Sequence, residues 1–352
     1  MSSTHPSTDR SRLTVAVVGA TGAVGREMLH LLATRGFGAG TVRALASRRS
    51  AGSTLEFEGR TLTVEELTAD SFGGVDIALF SAGGGTSLEF APRAAAAGAL
   101  VVDNSSAFRY EADVPLVVPE VNLEASRQAL AEGGRRIIAN PNCSTIQMVV
   151  ALQPLHTAAG IRRVIVSTYQ SVSGAGQKGI DELLAGTRAH LAGEPEPAPA
   201  KFAHPIAFNA LPHIDSFLDN GYTREEMKMV WETRKIMSLP SLPVSATCVR
   251  IPVLRSHSEA VTVELDRPLS AQEARAVLAV APGITVVDDP ATASYPLPRA
   301  AESQGTTYVG RIRVDPDFPN VLHLWVVSDN LWKGAALNAV EIAEAVTDQG
   351  WL

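Results

Sequence analysis

The sequence predicts an α/β chain of two domains, the first built on a doubly wound parallel sheet. Three observations carry this reading: an apolar, β-branched run ending in a glycine-rich turn near the start, strand-like and helix-like runs alternating up to residue 142, and a change of texture after Cys143. A length of 352 residues suits two domains at roughly 100–200 residues each.

Residues 13–19, Leu-Thr-Val-Ala-Val-Val-Gly, are short, apolar and β-branched, the pattern of a buried parallel strand. Residues 25–35 then place Met28, Leu29 and Leu32 on one helical face. Val42 to Ala46 and Val75 to Ser81 read as further strands, the alanine-rich segment 89–98 as a helix, and Leu100 to Asn104 as another buried strand. This alternation indicates a parallel sheet with crossover helices. Beyond Cys143 the strands Val164 to Gln170, Ala246 to Pro252 and Ala260 to Leu265 are more widely spaced, which fits an α+β domain with an antiparallel or mixed sheet. Glu194 to Ala200 alternates proline with small or polar residues and reads as an exposed loop. Leu331 to Val346 reads as a helix returning to the first domain. The expected division is therefore a disordered tail over 1–12, a nucleotide domain over 13–142 plus 331–352, and a catalytic and dimerisation domain over 143–330.

Apolar residues make up 45% of the chain and charged residues 19%, an ordinary balance for a soluble globular protein. A net charge of -7 argues against nonspecific nucleic-acid binding, which needs a basic face. No apolar run reaches the ~18 residues of a membrane span, and the polar start lacks the core of a secretory signal. Two cysteines in dissimilar surroundings suggest neither a disulfide framework nor a metal centre, so a cytoplasmic enzyme without metal is expected.

The turn Gly19-Ala20-Thr21-Gly22-Ala23-Val24-Gly25 is a variant of the dinucleotide fingerprint. Its glycines permit close backbone approach, and the following helix N-terminus offers free N–H groups to a pyrophosphate. The second strand runs into Ser47-Arg48-Arg49-Ser50, where a site for NAD would place an acid. Two guanidinium groups and two hydroxyls suit a 2′-phosphate instead, which favours NADP over a merely solvated basic turn.

Asn140-Pro141-Asn142-Cys143 precedes a helical pattern, so the Cys143 thiol is expected at a helix N-terminus. There a thiolate is favoured and backbone N–H groups can support an oxyanion. Cys248 lies within an apolar strand and reads as packing. A nucleophilic cysteine beside a nicotinamide implies thiohemiacetal and thioester chemistry, which needs a proton-handling group. His257, expected in a polar turn after a strand end, is a candidate, but composition does not select it over His204 or His213.

The sequence resembles the bacterial aspartate-β-semialdehyde dehydrogenases over nearly its whole length. The resemblance is carried by the segments at 15–25, 117–122, 140–147, 167–176, 205–209, 225–229 and 249–253, by His257-Ser258-Glu259, and by residues 325–330. It implies a Rossmann-type first domain, a second domain of the glyceraldehyde-3-phosphate-dehydrogenase-like type, and a homodimer or dimer of dimers. It also implies reduction of L-aspartyl-4-phosphate by NADPH to aspartate semialdehyde and phosphate, a step towards lysine, threonine, methionine, isoleucine and diaminopimelate. Carried over by position, Cys143 is the acyl-forming nucleophile, His257 the acid/base, and Gln170 the glutamine that places the reacting carbonyl. Arg109 and Lys228 hold the phosphate, Arg250 the α-carboxylate and Glu225 the α-amino group. Gly19, Thr21, Gly22, Ala23 and Val24 meet the pyrophosphate, Arg49 and Ser50 the 2′-phosphate, and Ser173, Gly174 and Asn330 the nicotinamide end. On residues alone, Arg109 reads equally as a surface arginine and Glu225–Lys228 as a plain i,i+3 helix pair. An N-acetylglutamyl-phosphate reductase and a non-catalytic NADP-binding regulator are the competing functions.

Overall fold

The computed structural model describes residues 9–352, which group by contact into two units. The first runs to Asn142 and is completed by Ala335–Leu352; the second is Cys143–Gly334.

The first unit contains β1 (Thr14–Val18), α1 (Ala23–Thr34), β2 (Thr41–Ala46), β3 (Thr54–Phe57), β4 (Arg60–Glu66), β5 (Ile77–Phe80), α2 (Gly84–Ala96), β6 (Leu100–Asp103) and β7 (Ile137–Ala139). The strands lie in the order β3-β4-β2-β1-β5-β6-β7. All neighbours pair in parallel except β3 with β4. Val15 to Val18 are fully buried at the sheet centre, as a strand covered on both faces requires. The order reverses at β1, so the turns after β1 and β5 open the crevice where such sheets bind ligands. The hairpin β3–β4 was not expected. Its turn, Glu58-Gly59, has positive φ at both residues, the geometry that matches the twist of paired strands.

Two expected boundaries need correction. Residues 9–12 are not a disordered tail: Arg10–Arg12 forms a 3₁₀ turn, and Arg10 bonds Asp348 at 2.5 Å and lies over the Phe37 ring. Residues 1–8 lie outside the described residues. Residues 331–334 group with the second unit, and the chain crosses to the first within a π-type turn over Trp332–Ala336 before the C-terminal helix Leu337–Asp348 begins. That helix packs on α1, where Arg35 bonds Glu344 at 2.7 Å.

The second unit contains α3 (Cys143–Ala159), β8 (Ile161–Gln170), α4 (Gln177–Ala192), α5 (Arg224–Ile236), β9 (Val244–Arg250), β10 (His257–Leu265), α6 (Ala271–Ala279), β11 (Ile284–Val286), β12 (Thr307–Val314) and β13 (Val321–Ser328). Its sheet is mixed, in the order β11-β12-β13-β10-β8-β9. α3 is apolar on nearly every side and packs on this sheet, with Ser144 to Leu152 all buried. Residues 194–200 form the expected exposed loop.

Candidate active site

Strand register assembles the site in the second unit. Gln170 pairs with Arg250 across β8 and β9, and His257 pairs with Ser328 across β10 and β13. Ser258 pairs with Tyr169, so His257 falls beside Gln170. Because side chains alternate along a strand, Arg250, Gln170 and His257 form one row on one face, at the sheet's end. They are 5%, 1% and 0% exposed. Cys143 begins α3, partly exposed, and lies close enough for its charge to act on the Arg250 guanidinium. The Gly334 backbone packs against it, and a Cβ on that residue would lie 2.7 Å from the Cys143 Cβ. Gly174 is exposed, and a Cβ there would come within 2.9 Å of Arg250 Nη1 and 3.2 Å of His257 Nε2. Glycine at that position leaves room for both groups.

His257 does not lie in a polar turn; it opens β10, fully buried, because the turn ends at Ser256 with φ of 72°. Burial, and then the Arg250 charge, hold its pKa well below the usual histidine value. The Ser171 N–H donates to Nδ1 at 3.1 Å, which places the proton of the neutral ring on Nε2. Ser171 Oγ donates to Asn330 Oδ1 at 3.1 Å. The same Asn330 oxygen accepts from Ser173 Oγ at 3.1 Å and from the Ser256 N–H at 2.9 Å. Asn330 therefore ties the 171–173 segment to the turn before His257.

A second cluster adjoins the row. Gln170 Nε2 donates to Thr168 Oγ1 at 3.2 Å and to Glu225 Oε1 at 3.3 Å. Lys228 Nζ bonds Glu225 at 3.0 Å and Asp215 at 2.7 Å. Burial alone would lower the Lys228 pKa, but the two carboxylates outweigh it and raise it. Glu225 and Lys228 thus form more than a helix pair. Arg250 Nη1 donates to the Ser171 carbonyl at 2.5 Å, and burial lowers the pKa of its guanidinium. Cys248 is fully buried against Met229, and burial pushes its thiol well up, so it packs rather than reacts.

In the first unit the glycine turn forms a cradle. Gly19 has φ of 86°, and a Cβ on it would lie 2.7 Å from the Ser81 carbonyl oxygen; one on Gly25 would strike the Gly19 carbonyl. Gly22 caps α1 without a side-chain bond, and Ala23 and Val24 begin the helix. A cavity of about 470 Å³ is lined by Gly19, Thr21, Gly22 and Ser47 to Ser50, with no acidic residue among the described residues that line it. Arg48 and Arg49 are exposed there. These features fit a dinucleotide carrying a 2′-phosphate. Arg109 also belongs to this unit, buried, with Nη2 donating to the Asn104 carbonyl at 3.0 Å.

Three contributors escaped the sequence reading. Ser171 lies within the 167–176 segment, where only Gln170, Ser173 and Gly174 stand out as site residues. Asp215 is an isolated loop acid. Asp329 is buried, bonds Arg255 at 2.8 Å and accepts from the Leu331 N–H at 2.9 Å, which fixes the turn holding Asn330. Among the described residues, no group of three or more His, Cys, Asp or Glu is placed to hold a metal, and no helix is long and apolar enough to cross a membrane.

Residues 14–129 match the family described as semialdehyde dehydrogenase, NAD binding domain, and residues 152–333 that described as semialdehyde dehydrogenase, dimerisation domain. An aspartate-semialdehyde dehydrogenase of Aquifex aeolicus is 55% identical over 337 residues, covering 96% of this chain and 98% of the relative. The chain belongs to the aspartate-semialdehyde dehydrogenase family. A crystal structure of aspartate semialdehyde dehydrogenase II from Vibrio cholerae, complexed with ASA, shares its fold with a TM-score of 0.92 at 50% identity, over 95% of this chain and 98% of that one. The enzyme of this family from Candida albicans, solved with NADP, aligns with a TM-score of 0.74 at 27% identity, over 97% of this chain and 100% of that one. Like those relatives, this aspartate-semialdehyde dehydrogenase family member is an oxidoreductase with a nucleotide-binding first domain.

Proposed function

We propose that this chain catalyses the reversible, NADP-dependent conversion of L-aspartyl-4-phosphate to L-aspartate-4-semialdehyde and phosphate, through a thioester on Cys143. The observation that carries the reading is the convergence of Cys143, Gln170, Arg250 and His257 at one end of one sheet, beside Glu225 and Lys228.

The Cys143 thiolate attacks C4 of the acyl phosphate from the start of α3, where helix N–H groups favour negative charge. The C4–O bond breaks, phosphate leaves and the thioester remains. Arg109 and Lys228 are the cations assigned to the phosphate. Bound NADPH supplies the hydride that reduces the thioester carbon. His257 presents Nε2–H to the carbonyl oxygen as it becomes negative, a role open to a neutral imidazole. As the tetrahedral carbon collapses to the aldehyde, the C–S bond breaks and the thiolate returns. Gln170 orients the carbonyl, Arg250 grips the α-carboxylate through its fork of N–H groups, and Glu225 meets the α-ammonium. Gly19, Thr21, Gly22, Ala23 and Val24 hold the pyrophosphate, and Arg49 and Ser50 the 2′-phosphate. Ser173, Gly174 and Asn330 border the nicotinamide.

The second domain's family description supports a homodimer. Its sheet carries Ile165, 41% exposed, and the adjoining Tyr169–Trp325 ring pair on the face opposite the catalytic row. We place the enzyme in the cytoplasm, on the route to lysine, threonine, methionine, isoleucine and diaminopimelate.

The test is reduction of NADP by the full chain with aspartate semialdehyde, with and without phosphate. Phosphate-dependent turnover is expected, and Cys143→Ala should lower kcat on the order of 10⁴-fold or more while NADP still binds. Persistent turnover in that variant refutes the thioester. Activity confined to an N-acetylated glutamyl substrate refutes the substrate.

A further inference from the structure

We propose that Glu259 and Gln147 are positioning residues of the active site, a buried pair that ties the helix carrying Cys143 to the strand carrying His257. The inference rests on the assignment of those two residues above and concerns the layer beneath them.

Glu259 follows His257 by two residues on β10, so both side chains leave the same face of the sheet, roughly 7 Å apart. Gln147 follows Cys143 by four residues on α3, one turn further along the same face of the helix. α3 packs on β10, and the Gln147 carboxamide lies beside the Glu259 carboxyl. The pair therefore repeats, one layer deeper, the pairing of nucleophile and imidazole. The same row contains Thr168 and Cys248 across the sheet, and Thr168 Oγ1 bonds Gln170. Glu259 is 0% exposed and Gln147 1%. Both Glu259 oxygens and both polar atoms of Gln147 are buried without a well-formed hydrogen bond, so the contact between the two side chains leaves them under-satisfied.

A buried polar pair so poorly satisfied costs stability that two leucines in its place would not. Its presence points to a role in placing the groups above it. Burial pushes the Glu259 carboxyl well up, with Gln147 opposing that shift, which favours the neutral acid over the carboxylate. The titratable groups around this layer are His257 on the same strand, Cys248 and Arg250 on β9, and Cys143 on α3. Glu225 and Glu226 on α5 act on the same Cys248.

The experiment compares the full chain with Glu259→Leu, Gln147→Leu, Glu259→Gln and the reciprocal swap Glu259→Gln/Gln147→Glu. It measures kcat, KM, Tm and the pH dependence of Cys143 alkylation by iodoacetamide. Each leucine variant is expected to lower kcat at least tenfold with KM within threefold, and to shift the pH midpoint of alkylation. Glu259→Gln should recover at least tenfold of the loss seen in Glu259→Leu, since it keeps a neutral hydrogen-bonding group of the same shape. If the leucine variants do not fold, the swap decides: it should retain more than a tenth of the parent kcat. A folded leucine variant with unchanged kcat and alkylation profile overturns the proposal, as does a folded swap without activity. Failure of the thioester assignment is separate, because it shows as turnover surviving Cys143→Ala in an otherwise unaltered layer.

Discussion

The nucleotide cradle of the first unit is built around two short local segments, 19–25 and 47–50, and lies open, whereas the row proposed for catalysis in the second is gathered from distant strands and sealed. Thr21, Arg48 and Arg49 reach solvent, while Gln170, Arg250 and His257 are buried. The cradle works through backbone: positive φ at Gly19, close approach at Gly25 and the start of α1. The row works through side chains whose charges and protons are set by burial. Substitution should therefore be tolerated at the exposed side chains of the cradle, though not at Gly19 or Gly25, and severe in the row.

The sharpest contrast is between two arginines. Arg250 is 5% exposed, bonds the Ser171 carbonyl and has its guanidinium pKa lowered by burial, so any replacement disturbs the scaffold as well as the carboxylate contact proposed for it. Arg250→Lys keeps the charge but loses the planar fork, and kcat/KM for aspartate semialdehyde should fall about 100-fold or more. Steady-state kinetics with both substrates varied checks this. Arg49→Ala removes an exposed contact, and the preference for NADP over NAD should fall by roughly tenfold, with kcat for saturating NADP nearly unchanged. Equal losses in the two variants would erase the distinction between an open cradle and a sealed row.

The same distinction governs what was readable from residues. Gly19 to Gly25 and Ser47 to Ser50 are local signals, since a tight turn and a missing acid need no knowledge of distant contacts. Cys143 was readable as a helix start because Asn140-Pro141-Asn142 stops the preceding strand. His257 was not separable from His204 or His213 by composition, because its position depends on the pairing of β10 with β8 and β13. Its expected polar turn is in fact the start of a buried strand. Ser171 lies 86 residues from His257 and 159 from Asn330 along the chain, yet joins both. Such contacts arise from register, which one sequence does not display. The β3–β4 hairpin differs: its turn, Glu58-Gly59, is a local signal, but the short strands beside it carry little apolar alternation on β4.

The smallest expected effect concerns stability and distinguishes a sealed histidine from an exposed one. Burial and the Arg250 charge keep folded His257 neutral to well below its ordinary pKa of 6.5. In the unfolded chain the imidazole takes up a proton as pH falls through about 6.5. Over that window the unfolded state binds more protons, so acid favours unfolding. The stabilising contribution is complete above pH 6.5 and is lost as pH falls towards the folded value. His257→Asn removes this dependence, so its Tm should decline less than the parent's between pH 7.5 and 5.5, by about 1–3 °C. The comparison is made at matched ionic strength, because salt screens the exposed ion pairs more than this buried ring. A parallel decline in both proteins would mean that His257 is protonated in the folded state, and the neutral Nε2–H donor assigned to the reaction would have to be replaced by an imidazolium acid.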